Sequence, residues 1–242
     1  MNVAYSAPAA PLLCCQGLTK QYSGGAYPAL WNLDMTLYAG RIVGLLGPNG
    51  SGKTTLIKMI CGLIAPSSGQ VLVHGREVGV ESKRAIAYLP ERTYLSPAYT
   101  VERQLKFFAD FYDNFRTDRA MEMLSMLGLP LNMRISTMSK GTREKLQLIL
   151  VMSRDADLYV LDEPIAGVDP AARDYILDTV LRARHPGSSI LISTHLIADI
   201  EPILDDAIFL SRGSLILGGT AEDIRRANGK SLDQLFREVF RC

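Results

Sequence analysis

Gly47-Pro48-Asn49-Gly50-Ser51-Gly52-Lys53-Thr54-Thr55 is the stretch that decides how this chain is read. It satisfies the pattern G-x-x-x-x-G-K-[ST], follows the apolar run Ile42-Val-Gly-Leu-Leu46 and opens into a helical stretch. Glycines let the backbone turn tightly enough for several N–H groups to face one anion, and a helix starting near Lys53 adds its positive dipole end. This is the composition of a phosphate cradle, in which Lys53 neutralises charge on β- and γ-phosphates and the Thr54 hydroxyl is offered to Mg2+. The competing reading is a glycine-rich turn without a ligand, and the strand before it and the helix after it argue against that.

A second apolar run, Leu158-Tyr-Val-Leu161, has the composition of a strand covered on both faces and ends in Asp162-Glu163-Pro164. Open α/β sheets bind their ligands at the carboxyl ends of their strands, which gives two charges at this position a reason. Asp162 suits the acidic residue that holds Mg2+, usually through water, and Glu163 a base that polarises the water attacking the γ-phosphate. In isolation Asp-Glu-Pro would read as a solvated turn; a buried strand before it and the cradle upstream reverse that reading.

Length and composition set the outer limits. At 242 residues, 48% of them hydrophobic, the chain suits one large domain or a core carrying a smaller subdomain. A formal net charge of +1, with no basic run, gives no general attraction to nucleic acid or anionic lipid, so nucleic acid is not expected as a partner. No apolar stretch approaches the roughly 20 residues that span a bilayer. Met1 to Pro11 lacks the basic-then-apolar layout of a secretion signal, and a cytosolic location is expected. Cys14, Cys15, Cys61 and Cys242 show no metal-binding spacing and are read as reduced packing residues, while His74 and His185 are read as structural.

Strand-like runs at Leu12–Cys15, Ile42–Leu46, Val71–Val73, Ala85–Leu89, Leu158–Leu161, Ser189–Ser193 and Ala207–Leu210 alternate with helical stretches, which predicts an α/β core. Asp169-Pro170 reads as an N-cap followed by proline at the first helical position, opening a helix that ends before Pro186. From about Arg92 to Asp155 helical periodicity takes over. Thr100 is the N-cap of a helix with Val101, Leu105, Phe108, Tyr112 and Phe115 on one side, and a second helix runs from Asp118 to Leu127, stopped by Gly128 and Pro130. The expected organisation is a single domain over 1–242, its α/β core formed by 1–91 and 156–242 and a helical subdomain, 92–155, inserted between. Eight of the eighteen aromatic residues lie between Tyr88 and Phe115. Either they fill the insert's own core, or some, Tyr94, Tyr99 and Phe107 among them, form an exposed docking groove for another protein; the sequence leaves both open.

With further motifs in order along nearly its whole length, the chain resembles the ATP-binding subunits of ABC transporters. Tyr22, in Leu18-Thr-Lys-Gln-Tyr22, resembles the family's aromatic that stacks on adenine. Ser139-Lys140-Gly141-Thr142 resembles the signature usually written L-S-G-G-Q, with Met138 in place of the leucine. Ala166-Gly-Val-Asp169 resembles the D-loop, and His195, in Ser193-Thr-His195, the switch histidine that hydrogen-bonds the γ-phosphate. The resemblance implies a P-loop NTPase core, a RecA-like mixed sheet with an N-terminal antiparallel β part, that binds ATP and Mg2+ and hydrolyses the ATP. It implies a nucleotide held between two head-to-tail subunits, by Tyr22 and the loop from Gly47 to Thr55 of one and by Ser139 and Gly141 of the other. Those two residues precede a helix predicted from Thr142 to Arg154, whose N-terminus attracts an anion. The other implied partners are a second ATP-binding subunit, the same chain or a near relative, and a separate integral membrane permease contacted around Glu91 to Tyr99. The chain would then sit on the inner face of the membrane through that permease.

Two positions depart from the family pattern. At the Q-loop the expected glutamine is Glu91, in Tyr88-Leu-Pro-Glu91. A carboxylate still ligates Mg2+, but it adds negative charge beside the triphosphate and donates no hydrogen bond when ionised. The signature carries Lys140 and Thr142 for a glycine and the glutamine, and Lys140 is expected to offset part of the Glu91 charge. The stretch from Ile190 to Ile200, continuing to Phe209, is similar to small bacterial exporter-type ABC ATPases. Two rivals stand beside the transporter reading. One is an ABC ATPase acting on nucleic acid or ribosomes; those carry long coiled coils or two cassettes, where this chain has an ordinary insert and a single set of motifs. The other is a regulatory switch that binds ATP without turnover, against which Glu163 argues.

Overall fold

In the computed structural model of the chain, which describes residues 10–168 and 170–240, every residue from Ile42 to Leu46 is buried. A strand so placed needs apolar cover on both faces, and the rest of the fold supplies it. The strands are β1 (Leu13–Lys20), β2 (Leu30–Leu37), β3 (Ile42–Leu46), β4 (Ser68–Val73), β5 (Arg76–Glu77), β6 (Ile86–Leu89), β7 (Leu158–Asp162), β8 (Ser189–Thr194), β9 (Asp206–Ser211) and β10 (Ser214–Thr220). The helices are α1 (Lys53–Ile60), α2 (Val80–Ala85), α3 (Val101–Phe111), α4 (Thr117–Met126), α5 (Lys140–Met152), α6 (Pro170–Ala183), α7 (Ile197–Ile200), α8 (Ala221–Asn228) and α9 (Leu232–Val239). The main sheet has the order β10-β9-β3-β8-β7-β6, parallel except for β10 at its edge, and a second, antiparallel sheet has the order β2-β1-β4-β5. The mixed sheet and the antiparallel β part expected for this fold are both present.

Strand alternation divides the core in two. Ile42, Leu46, Tyr159, Leu161, Ile190 and Ile192 face a cluster completed by α5 to α9, while Val43, Leu45, Leu158, Val160 and Leu191 face one completed by α1 and the antiparallel sheet. A third cluster, from Leu95 to Leu150, contains Val101, Leu105, Phe108 and Phe115 of the predicted helical face. Helix α5 joins the clusters: Leu146, Ile149 and Leu150 belong to the third, and Leu148, Val151 and Met152 to the first.

Several boundaries differ from the sequence reading for identifiable reasons. Strand β1 runs past Cys15 to Lys20 because its pairing with β2 and β4 resumes beyond a register shift between Cys15 and Leu18, where Gly17 has φ 55° and the alternation breaks. Strand β2, which the sequence reading omitted, is likewise interrupted by Asn32 at φ 43°. Strand β10 is an edge strand without a buried face to signal it. Helix α5 starts at Lys140, two positions before expected, because Ser139 is its N-cap and accepts the Thr142 N–H at 3.1 Å. Thr100 caps α3 as predicted, accepting the Arg103 N–H at 3.2 Å. Asp169, expected as the N-cap of α6, and Cys242 lie outside the described residues. Cys14, Cys15 and Cys61 are free thiols, and burial pushes that of Cys15 up to about 12. Among the described residues no helix is long and apolar enough to cross a membrane.

Arg154, just after α5, ties the helical layer to the sheet. Its guanidinium is buried and donates to the Ile86 carbonyl at 2.7 Å, to those of Lys83 and Arg84 at 3.1 Å, and to Asn114 Oδ1 at 3.1 Å. It also lies 3.9 Å from the centroid of the Tyr112 ring. Burial lowers its pKa, although an arginine stays charged throughout the ordinary pH range. Replacing it by alanine removes a buried donor from three carbonyls, of which only that of Arg84 keeps another side-chain donor, Asn114 Nδ2 at 2.9 Å, so Arg154→Ala is expected to cost about 3 kcal/mol of unfolding free energy. Denaturant melts measure this, and a loss under about 1 kcal/mol would show that the clamp contributes little.

Candidate functional site

The loop between β3 and α1 is shaped by close backbone approaches. A Cβ on Gly47 would lie 2.4 Å from the Leu210 carbonyl oxygen, and one on Gly52, itself at φ 109°, would lie 2.6 Å from that of Ala29. Lys53 is buried and curls back into its own loop, its Nζ donating to the carbonyls of Gly47 at 2.7 Å and Pro48 at 3.2 Å. Ser51 is buried beneath the turn. A cavity of about 380 Å³ beside the loop is lined by Asn49, Gly50, Gly52, Lys53, Thr54 and Thr55, and on its far side by Glu91, Glu163 and His195. Tyr22 is half-exposed, with its hydroxyl 3.5 Å from Thr55 Oγ1. The fold therefore gathers the N-terminal part of the predicted site around one cavity.

Asp162 ends β7 directly opposite Ser193 of β8. Its Oδ1 accepts from Ser193 Oγ at 2.7 Å and from Thr54 Oγ1 at 3.3 Å, while Oδ2 is buried without a partner. Burial raises the Asp162 carboxyl above the ordinary carboxylate range; the Ser193 and Thr54 hydrogen bonds oppose the shift, and the charges of Glu163 and Glu91 add to it. Ser193 had no role in the sequence reading. Its signal is its place at the end of the strand paired with Asp162.

Glu163 adopts φ 50°, a backbone conformation costing roughly 1–2 kcal/mol for a residue with a Cβ. Its N–H is held by Ser193, by Oγ at 3.0 Å and by the carbonyl at 3.1 Å. This turn directs the carboxylate between two basic groups, with Oε1 3.4 Å from Lys53 Nζ and Oε2 3.0 Å from His195 Nδ1. The strain is thus spent on bringing together residues 53, 163 and 195.

Of the other predicted residues, Glu91 borders this cluster, whereas Ser139 and Gly141 stand apart from it. Glu91 lines both the 380 Å³ cavity and a larger one of about 510 Å³ under α5, where Asp162, Glu163, Lys140 and Arg143 also contribute. The ion pair of Lys140 is with Glu144, one helical turn on at 3.7 Å, so the expected offset of Glu91 is not a direct contact. Ser139 is exposed, and neither it nor Gly141 lines either cavity. The two candidate structural histidines differ in their contacts: His74 Nε2 lies 2.9 Å from Asp157, and His185 is held through its backbone.

Among the aromatic residues, Phe108 and Phe115 are core, whereas Phe111, Phe107 and Tyr94 are 68%, 48% and 47% exposed. Tyr99 is half-buried, with the Arg103 guanidinium 4.3 Å from its ring centroid. The aromatic residues therefore divide between core and surface: some fill the insert's own core and others are exposed. A groove of about 370 Å³ runs between the sheet and the third cluster, lined by Leu63, Lys83, Tyr88, Tyr94, Phe111 and Tyr112 among others.

Residues 30–166, more than half of the chain, match the ABC transporter family. The uncharacterized ABC transporter ATP-binding protein YhaQ of Bacillus subtilis is 31% identical over 228 residues, 90% of this chain and 74% of that protein. The linearmycin resistance ATP-binding protein LnrL of the same organism is 30% identical, with 93% of this chain and 74% of LnrL covered. The probable multidrug ABC transporter ATP-binding protein YbhF of Escherichia coli is 30% identical over 99% of this chain, which spans only 43% of YbhF. A solved ATP-binding subunit of an ABC transporter superposes with a TM-score of 0.85 at 32% identity, covering 94% of this chain and 99% of the other. The chain belongs to the ABC transporter family, as an ATP-binding subunit and an ATPase.

Proposed function

We propose that the cluster of Lys53, Thr54, Asp162, Glu163 and His195 carries ATP hydrolysis, and that the energy drives export through a separate membrane-spanning partner. The observation that carries the reading is the Glu163 carboxylate between Lys53 and His195, with the phosphate loop beside it. ATP is held by Tyr22 at the adenine and by the loop from Gly47 to Thr55 at the phosphates. Glu163 accepts the proton of the attacking water, Lys53 neutralises charge on the transferred phosphoryl group, and His195 donates to it. The fit to Mg2+ lies in the oxygen donors: the Thr54 hydroxyl and Asp162, whose buried Oδ2 is free, suit a hard cation that takes its remaining ligands from water and phosphate. Glu91 adds a third carboxylate to this side of the cavity. Bound there, Mg2+ supplies neutralisation of phosphate charge.

Ser139 and Gly141, placed away from the cavity at the exposed start of α5, support a reading in which they complete the site of a second subunit, the same chain or a relative. A solved ATP-binding cassette of this fold, MJ0796, 20% identical with a TM-score of 0.74, is a dimer in a post-hydrolysis state bound to ADP and Pi. The names of LnrL and YbhF, resistance and multidrug, favour export. The exposed aromatic groove between sheet and insert is the proposed seat of the membrane partner, which would hold the chain on the inner face of the membrane.

Purified Glu163→Gln protein is expected to lose ATP turnover by about 100-fold or more while still binding ATP and accumulating as an ATP-bound dimer in size-exclusion runs. Turnover within about tenfold of wild type would remove Glu163 from the role of base.

Asp162 gives a prediction of opposite sign for stability. Its folded pKa is raised, so above its unfolded value of about 4 the folded state holds the extra proton, and stability falls as pH rises through that window and stays reduced at neutral pH. Asp162→Asn is therefore expected to melt a few degrees higher than wild type at pH 7, to show a smaller gain near pH 4, and to lose Mg2+-dependent turnover. A lower melting temperature at pH 7 would contradict the assignment.

The groove reading predicts that Phe111→Asp, co-expressed with its membrane partner, leaves about tenfold less chain in the membrane fraction without altering nucleotide binding. Unchanged membrane retention would place the docking surface elsewhere.

A further inference from the structure

Tyr22 lies between β1 and β2 and belongs to none of the three apolar clusters. The residue is 45% exposed, and its hydroxyl makes a long contact, 3.5 Å, with Thr55 Oγ1. A ring so placed needs some other contact to hold one orientation. The Lys20 ammonium lies 5.4 Å from its centroid, within the range of a cation–π interaction.

Lys20 is itself fixed. Its Nζ donates to the Ala65 carbonyl at 2.7 Å, in the connection that follows α1. The same connection grips the neighbouring backbone: Gln21 N–H donates to Ser67 Oγ at 3.0 Å, and Ser67 N–H to the Thr19 carbonyl at 2.8 Å. The segment bearing Tyr22 is therefore stapled to the far end of the helix that begins with Lys53, and one helix carries the registration of both the ring and the phosphate loop.

We propose that Lys20 is a positioning residue for the nucleobase: anchored on Ala65, its ammonium holds the Tyr22 ring in the plane on which adenine stacks. The proposal rests on the reading of Tyr22 as the adenine platform. A cation against one face attracts the ring's negative quadrupole and leaves the opposite face for the base. An aromatic held in its binding orientation loses less freedom when the base arrives, so the effect appears in affinity rather than in the chemical step.

The test is equilibrium titration of the full chain with Mg-ADP and with Mg-tripolyphosphate, which lacks the base, comparing wild type, Lys20→Met, Lys20→Arg, Tyr22→Leu and the Lys20→Met/Tyr22→Leu double variant. Lys20→Met is expected to weaken ADP binding about three- to fivefold, with tripolyphosphate affinity unchanged and Lys20→Arg within about twofold of wild type. In the Tyr22→Leu background the lysine substitution should have no further effect. Wild-type ADP affinity in Lys20→Met, an equal loss with tripolyphosphate, or a full additional loss in the double variant would overturn the positioning role. Wild-type ADP affinity in Tyr22→Leu would instead remove the stacking assignment on which the proposal rests, a separate and recognisable failure.

Discussion

The structure turns on a buried carboxylate. Asp162 is 1% exposed at the end of a strand apolar along the rest of its length, where a bare charge is costly. Two hydroxyls meet it, from Ser193 on the adjacent strand and Thr54 on the helix after the phosphate loop, and these two contacts bind β7, β8 and α1 into one site. The compensation is incomplete, as the raised pKa and the free Oδ2 both indicate. A site that left Asp162 fully satisfied would be more stable and would offer no free carboxylate oxygen.

Glu163 extends the same logic to the backbone. Its positive φ would be relieved by an ordinary extended conformation, but the carboxylate would then leave Lys53 and His195. Ser193 holds the strained turn from below, receiving the Glu163 N–H while donating to Asp162. One serine thus sets the orientation of both acidic residues. On the other side, α5 is buried both against the main sheet and within the third cluster, and Arg154 at its end is bonded to the sheet's margin. A displacement of the exposed Ser139 end of α5 would have to be transmitted through these packed contacts.

Much of this was legible in the residues. The phosphate loop is readable because its residues are consecutive, although the backbone approaches that require glycine at 47 and 52, 2.4 Å to the Leu210 carbonyl and 2.6 Å to that of Ala29, come from elsewhere in the chain. The apolar run before Asp162 announced a strand covered on both faces, and alternation within it sends Tyr159 and Leu161 to one cluster and Leu158 and Val160 to the other. Less was legible where the strand period is broken. Gly17 and Asn32, both at positive φ, interrupt β1 and β2, and an alternation test reads through them as loop. The aromatic concentration from Tyr88 to Phe115 could not be divided by sequence alone, because helical spacing places residues on faces without saying which face another layer covers.

The residues by themselves determined the family and the α/β alternation, and they singled out Lys53, Thr54, Asp162, Glu163 and His195 as candidates, since each belongs to a short motif whose chemistry depends on its own spacing. Only the tertiary structure decided that Ser193 lies opposite Asp162, that Glu163 is turned toward Lys53 and His195, and that Lys20 sits against Tyr22 while anchored on Ala65. Those facts depend on which strands pair and in what register. That pairing is settled by burial summed over the whole sheet, and no local run of residues encodes it.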